Sequence, residues 1–262
     1  MKEELRSAIF SRWFLIAFVL MFLTLLGMSF PERLISINSG EENRMSALQL
    51  ALLPIFFGGV MLIFPFSACT VSAHRQTGEI RSGYIQWALL RGNARSYAIR
   101  KLSVNFLASG LAVGLAFFAH AMLWRAIAWP SQALLYSQHE IPSFINDVIY
   151  APWMEIAHGL PIILWMTMGM LLMGEVWGTV GLVVSMWVPD ALLSVSVPTF
   201  LYFLWNSGSS RWLGYRLPSA SRIYNDALTW PIVFEVLAVN FIWMLLLCLL
   251  YWLGLKRRAY HA

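Results

Sequence analysis

The residues that could do chemistry are few. Glu155-Ile156-Ala157-His158 has the Glu-x-x-His spacing of carboxylate-bridged metal sites, but such sites need a second copy and further glutamates on facing helices, and the chain has only this one. No HExxH, GxSxG or Walker A pattern is present, and the two cysteines, Cys69 and Cys248, lie far apart inside apolar runs as expected of buried thiols. The expectation is that the chain is not an enzyme by itself, has no catalytic residues, and binds no metal or cofactor. Glu175 is different. It stands between Met173-Gly174 and Val176-Trp177 in a long apolar run, where a charge costs on the order of 3 kcal/mol unless paired or wet. It reads either as a translocation-path residue or as a protonated or hydrogen-bonded packing residue. Trp165 and Trp177 share its run and could line a path for an amphiphile. The Met-rich run of Met166, Met168, Met170 and Met173 reads as adaptable packing.

Membrane spans would have to position these residues. Of 262 residues 59% are hydrophobic and only 12% charged, about half the charge that clothes a soluble domain. At roughly 20 apolar residues per spanning helix, the chain reads as one all-α integral membrane domain, residues 1–262. The expected six-helix bundle has spans at about 13–29, 47–71, 102–124, 157–187, 191–205 and 231–255. An amphipathic N-terminal segment, with Leu5, Ala8, Ile9 and Trp13 on one face, would lie at the interface and turn into span 1. That first apolar run is long for a signal peptide and lacks a small-x-small cleavage site. A polar loop is expected from Pro31 to Arg44. Pro54, Gly58-Gly59 and Pro65 predict a bent second span, and Pro189-Asp190 a turn between spans 4 and 5.

The net charge of +5 comes from basic residues that bracket apolar runs, a sign of membrane orientation and not of nucleic-acid binding. Lys2, Arg6, Arg12, the basic residues from Arg75 to Lys101, and Lys256-Arg257-Arg258 would share one side. Half as many, Arg33, Arg44, Arg125, Arg211, Arg216 and Arg222, would occupy the other. The positive-inside rule then places both termini and the 72–101 loop in the cytoplasm. Many aromatics, including Trp13, Trp124 and Trp230, fall near span ends as in interfacial belts.

The loop itself, residues 72–101, carries the most information. Its Thr77–Leu90 stretch predicts one amphipathic helix, with Ile80, Tyr84, Trp87 and Ala88 on one face and Gln76, Glu79, Ser82, Gly83 and Gln86 on another. Gly92-Asn93 breaks it, and a second helix starts near Ala94. Glu79 and its small polar neighbours favour docking into a protein over simple anchoring to lipid.

The order Glu79-x-x-x-Gly83, Leu89-Leu90, Arg91, Arg95, Tyr97 and Lys101 leading into span 3 resembles the membrane subunits of ABC-2 type transporters. The likeness extends to the layout of most of the chain, but only about 25 residues match as a motif, and that motif is degenerate. The family's usual proline in mid-loop is replaced here by Arg91-Gly92-Asn93. The resemblance implies a permease in the bacterial plasma (inner) membrane that works as a pair, with a second copy or a related chain, together with two copies of a separate ABC ATPase subunit that carries ATP and Mg. It implies that the Glu79 helix is a coupling helix in which Glu79, Ile80, Gly83, Tyr84, Arg91 and Arg95 meet the ATPase. Substrates in that family range over drugs, peptides, lipids and polysaccharides, and the aromatic inner spans of this chain favour export of an amphiphilic one, a peptide, drug or lipid. Two rival readings stand beside it. One is a proton-coupled secondary transporter using Glu175, and the other is a membrane enzyme built on Glu155, His158 and His120.

Overall fold

The computed structural model describes residues 2–38, 47–56, 60–91, 93–128, 160–212 and 230–260. These form ten helices: α1 (Lys2–Ile9), α2 (Arg12–Asn38), α3 (Ala47–Phe56), α4 (Val60–Thr70), α5 (Ala73–Arg81), α6 (Tyr84–Arg91), α7 (Ala94–Ala128), α8 (Leu160–Trp187), α9 (Leu193–Trp212) and α10 (Trp230–Tyr260). Four of them, within α2, α7, α8 and α10, are long and apolar enough to cross a membrane, which suggests a multi-pass membrane protein. A shorter apolar stretch, Leu193–Leu204, lies in α9.

The outside of this bundle is apolar and part of its inside is polar. Leu15, Ile16, Val19 and Leu23 of α2 and Phe241, Ile242, Leu245 and Leu249 of α10 are exposed. Asn105, Ser109, Thr179 and His120 are buried. That arrangement is unfavourable in water and ordinary in lipid, where outward apolar side chains lose nothing and inward polar groups find one another.

Small residues set the centre of the bundle. The most extensive helix pairing is α7 against α8, with Gly110 meeting Gly174, Gly114 lying against Leu171, and Gly178 lying against Ser109. A Cβ at Gly174 would lie 2.9 Å from the Ser109 carbonyl oxygen, and one at Gly110 would lie 3.0 Å from that of Leu171. Such close backbone approach is how glycines four apart hold helices together without a hydrophobic driving force. Beside this seam runs a polar ladder. Asn105 Nδ2 donates to Thr179 Oγ1 at 3.0 Å, Ser109 Oγ donates to Asn105 Oδ1 at 3.1 Å, and Ser72 Oγ also bonds to Asn105 Oδ1. Next to it Phe64, Trp177 and Tyr202 stack edge to face, joining α4, α8 and α9.

Local signals start and stop the helices. The Ser11 hydroxyl donates to the Ala8 carbonyl at 2.7 Å and accepts the Phe14 N–H at 3.1 Å, closing α1 and opening α2. Asn93 Oδ1 accepts the Arg95 N–H at 2.8 Å at the start of α7. Asp190 Oδ1 accepts the N–H groups of Leu192 and Leu193 at 2.9 and 3.1 Å before α9. The last of these is the turn expected at Pro189-Asp190.

Several features differ from the sequence reading. Helix α2 runs through Pro31 to Asn38 where a polar loop was expected to begin; the proline removes a single backbone donor, and the helix carries on past it. Helix α9 extends to Trp212, past the expected end near residue 205. The amphipathic N-terminal helix packs onto the protein: Ala8 is buried with Val71, Val104 and Ala108, and Glu4 pairs with Arg100 at 3.0 Å. The expected second span covers α3 and α4, and its residues 57–59 lie outside the described residues.

Candidate functional site

Between α4 and α7 the chain makes a helix–turn–helix, α5 and α6, in place of the single Thr77–Leu90 helix expected from periodicity. The break is at Gly83, whose φ of 72° is in the left-handed region that favours glycine. Its N–H donates to the Ile80 carbonyl at 3.1 Å, and the Ser82 N–H donates to that of Gly78 at 3.0 Å, a standard way of closing a helix end. The reversal gives α5 and α6 different surroundings.

Helix α5 is locked to the bundle. The carboxylate of Glu79 accepts from Lys101 Nζ at 2.5 Å and Arg75 Nε at 3.3 Å through Oε1, and from the Tyr97 hydroxyl at 3.0 Å through Oε2. The spacing explains the convergence: Arg75 and Glu79 are one turn apart on α5, as are Tyr97 and Lys101 on α7. The Glu79 and Lys101 side chains are only 14% and 10% exposed. Charges this dry are tolerated because each has its counter-charge, with Glu79 also accepting from Arg75 and Tyr97 and the Lys101 ammonium lying 5.6 Å from the centre of the Tyr97 ring. One turn earlier, the buried Gln76 reaches α8, with Nε2 3.3 Å from Met186 Sδ. At its end, Arg81 donates to the Pro189 carbonyl and the Asp190 carboxylate, both at 2.8 Å. Backbone N–H donation from Leu193, and then from Leu192, together with the nearby Arg81 guanidinium, holds the Asp190 carboxyl below its ordinary pKa. One short helix is thus pinned to α7, to α8 and to the α8–α9 turn.

Helix α6 faces outward. Only Ile85 is buried; Trp87 is 62% and Leu90 80% exposed, and Tyr84 is also exposed. The Arg91 guanidinium lies 5.7 Å from the centre of the Trp87 ring. Arg91 and Arg95 are exposed, and Ile80 is half-buried against the main core.

The candidate residues therefore divide. Tyr84, Arg91 and Arg95 lie on or beside the outward helix. Glu79, expected on a polar outer face with Gln76, is turned inward because α7 supplies the ammonium and hydroxyl that satisfy it. Glu175 and Trp177 are not brought together. Glu175 packs against α7, where its Cγ limits the space at Gly110, while Trp177 faces Tyr202 with ring centres 4.8 Å apart. Trp165 is half-buried at the edge of the main core. Neither the groove at the base of α6 nor the small cavity between α1 and α7 is lined by any of these three residues.

His120 belongs to a structural cluster. Its Nε2 accepts from Trp124 Nε1 at 2.9 Å and lies 2.9 Å from Ser29 Oγ. Glu155 and His158 lie outside the described residues, and no group of metal-ligating side chains occurs among those described. Both cysteines are free thiols.

The sequence reading passed over Gln76 as a buried tether, the Arg81–Asp190 link and the glycines of the α7–α8 seam. The Gly110/Gly114 and Gly174/Gly178 spacings were a usable signal. The Arg81–Asp190 link, 109 positions apart along the chain, had none. No family model, no curated protein and no solved structure matches the chain.

Proposed function

We propose that this chain is the membrane-spanning subunit of an ABC-2 type ATP-driven transporter. It is not itself an enzyme. ATP and Mg are bound by two copies of a separate ATPase subunit, and the permease functions as a pair. In this reading the chain crosses a bacterial plasma membrane six times, through α2, the α3–α4 pair, α7, α8, α9 and α10. Both termini and the α5–α6 elbow are cytoplasmic, and the cargo is an amphiphilic peptide, drug or lipid moving outward.

The observation that carries the proposal is the division of labour in the elbow. Helix α6 offers Tyr84, Trp87, Leu90 and Arg91 to a partner, and α5 is clamped to α7 and α8 through Glu79 and Gln76. A push on α6 would then be passed to the seam between α7 and α8 as a rigid-body tilt, the usual way in which motion of a packed element is conveyed. Glu79 serves as the clamp, and the aromatic tip serves as the contact.

Co-purification from native membranes tests this. Trp87→Glu with Leu90→Glu should release a Walker A-bearing partner while the permease stays inserted. Glu79→Lys should retain less transport and less ATPase stimulation. Recovery of the same partner with the charged α6 would contradict the assignment. A second reading, proton-coupled transport, has one favouring observation: the half-buried Glu175 carboxylate has no hydrogen-bond partner among the described residues. Transport that follows the proton gradient, needs no ATPase and is lost in Glu175→Gln would favour it.

A further inference from the structure

At the base of α6, where α5, α6, α8 and α10 meet, lies an open groove of about 280 Å³. At about 30 Å³ per water it has room for several water molecules or for one small polar headgroup. Its polar lining is Gln86, Arg257 and Arg258, and its apolar lining includes Trp187 and Ile85.

The two arginines are held in place without counter-charges. The Arg257 guanidinium lies 5.2 Å from the centre of the Trp187 ring, and Arg258 Nε donates to the Met186 carbonyl at 2.9 Å. Among the described residues neither has a carboxylate partner. Three of the acids at this end of the bundle are already engaged, Glu4 with Arg100, Glu79 with Lys101 and Arg75, and Asp190 with Arg81, and neither Glu3 nor any of these lines the groove. A concave site with two fixed guanidinium forks and an amide favours an oxyanion that can accept several bonds at once, and phosphate fits best.

The surroundings show what the phosphate is attached to. Leu249, Leu250 and Leu253, on the stretch of α10 leading to the arginines, are exposed, as are Val188 and Trp187 itself. An occupant with its head on Arg257 and Arg258 would find an apolar helix face directly beside it. We infer that this groove binds a phosphate group, supplied by the head of an anionic phospholipid whose chains lie along α10. The inference needs only the membrane setting and does not depend on the transporter reading.

The test uses the full chain in nanodiscs of phosphatidylcholine with added phosphatidylglycerol, followed by detergent release and native mass spectrometry of retained lipid. Wild-type protein should keep a phosphatidylglycerol adduct. Arg257→Gln and Arg258→Gln should each weaken retention about fivefold, as expected for one basic residue at an anionic surface. Gln86→Leu should weaken it less, and Lys256→Gln, whose ammonium sits over Trp252 outside the groove, should leave it unchanged. Arg257→Gln removes only a ring contact, so it remains informative if Arg258→Gln does not fold. A parallel arm adds inorganic phosphate to delipidated protein in neutral detergent. A thermal shift there that is lost in Arg257→Gln assigns the site to free phosphate; lipid retention without that shift assigns it to the headgroup. Equal retention by wild type and Arg257→Gln with no phosphate response, or an equal loss in Lys256→Gln, overturns the proposal.

Discussion

Replacing Lys101 by methionine keeps most of the side-chain volume and removes the ammonium that lies 2.5 Å from Glu79. The carboxylate then stays in a site where it is only 14% exposed, with the Tyr97 hydroxyl and Arg75 as its remaining partners. Breaking a fully buried ion pair costs about 3–5 kcal/mol. Arg75 is 41% exposed and sits farther off, at 3.3 Å, so it offsets only part of that. A loss of about 2–3 kcal/mol follows for Lys101→Met. Glu79→Gln should cost a similar amount, because it strands the ammonium. The double variant pairs a neutral amide with an apolar chain and should cost no more than either single change, giving a coupling energy of about 2–3 kcal/mol. Tryptophan-fluorescence melting in mild detergent is the assay. For a chain of this size each single variant should lower the midpoint by about 4–10 °C, with the double variant well above the sum. Strict additivity of the two losses would refute the claim that Glu79 and Lys101 form a closed clamp.

Further consequences follow from the same geometry. Gly174→Ala places a methyl against the Ser109 carbonyl and should cost about 1–3 kcal/mol of stability, read as a lower melting midpoint. Gly27→Ala, which meets nothing within 4 Å, should leave that midpoint unchanged or slightly raised. Gly83→Ala forces a side chain into a left-handed φ at a cost of about 1 kcal/mol, whereas Gly83→Asn should recover part of it; the α5–α6 amides should show the difference in hydrogen exchange. Asp190 has a folded pKa below its unfolded value of about 3.9. Its stabilisation of the α9 start is therefore present in full above that value and lost as pH falls toward the lowered one. Exchange of the Leu192 and Leu193 amides should accelerate in that acid window, and Asp190→Asn should remove the pH dependence.

Composition made the membrane class legible, because lipid allows few charges and favours long apolar helices. Helix starts at Ala94 and after Asp190 were legible for a local reason: a capping side chain acts within three residues. The elbow was not. Periodicity alone extends a helix through Gly83 and puts Ile80 on one face with Tyr84 and Trp87, whereas the backbone reversal there leaves Ile80 against the core and Tyr84 and Trp87 exposed. The inward turn of Glu79 was hidden because its partners come from α7, 18 and 22 positions later. A polar face reads as solvent-facing until the helix packed against it is known. Trp177 and Glu175 looked like members of one path because they share a helix, but two residues apart on a helix face nearly opposite sides.

The proposed coupling role is tested most directly by photo-crosslinking in native membranes from single positions on the elbow. A photoreactive residue at Trp87 or Leu90 should crosslink to a soluble ATPase, and one at Gln76, buried against Met186, should crosslink only within the chain. Crosslinks to that ATPase from position 76 but none from positions 87 and 90, or no soluble partner from any of the three, would contradict the account.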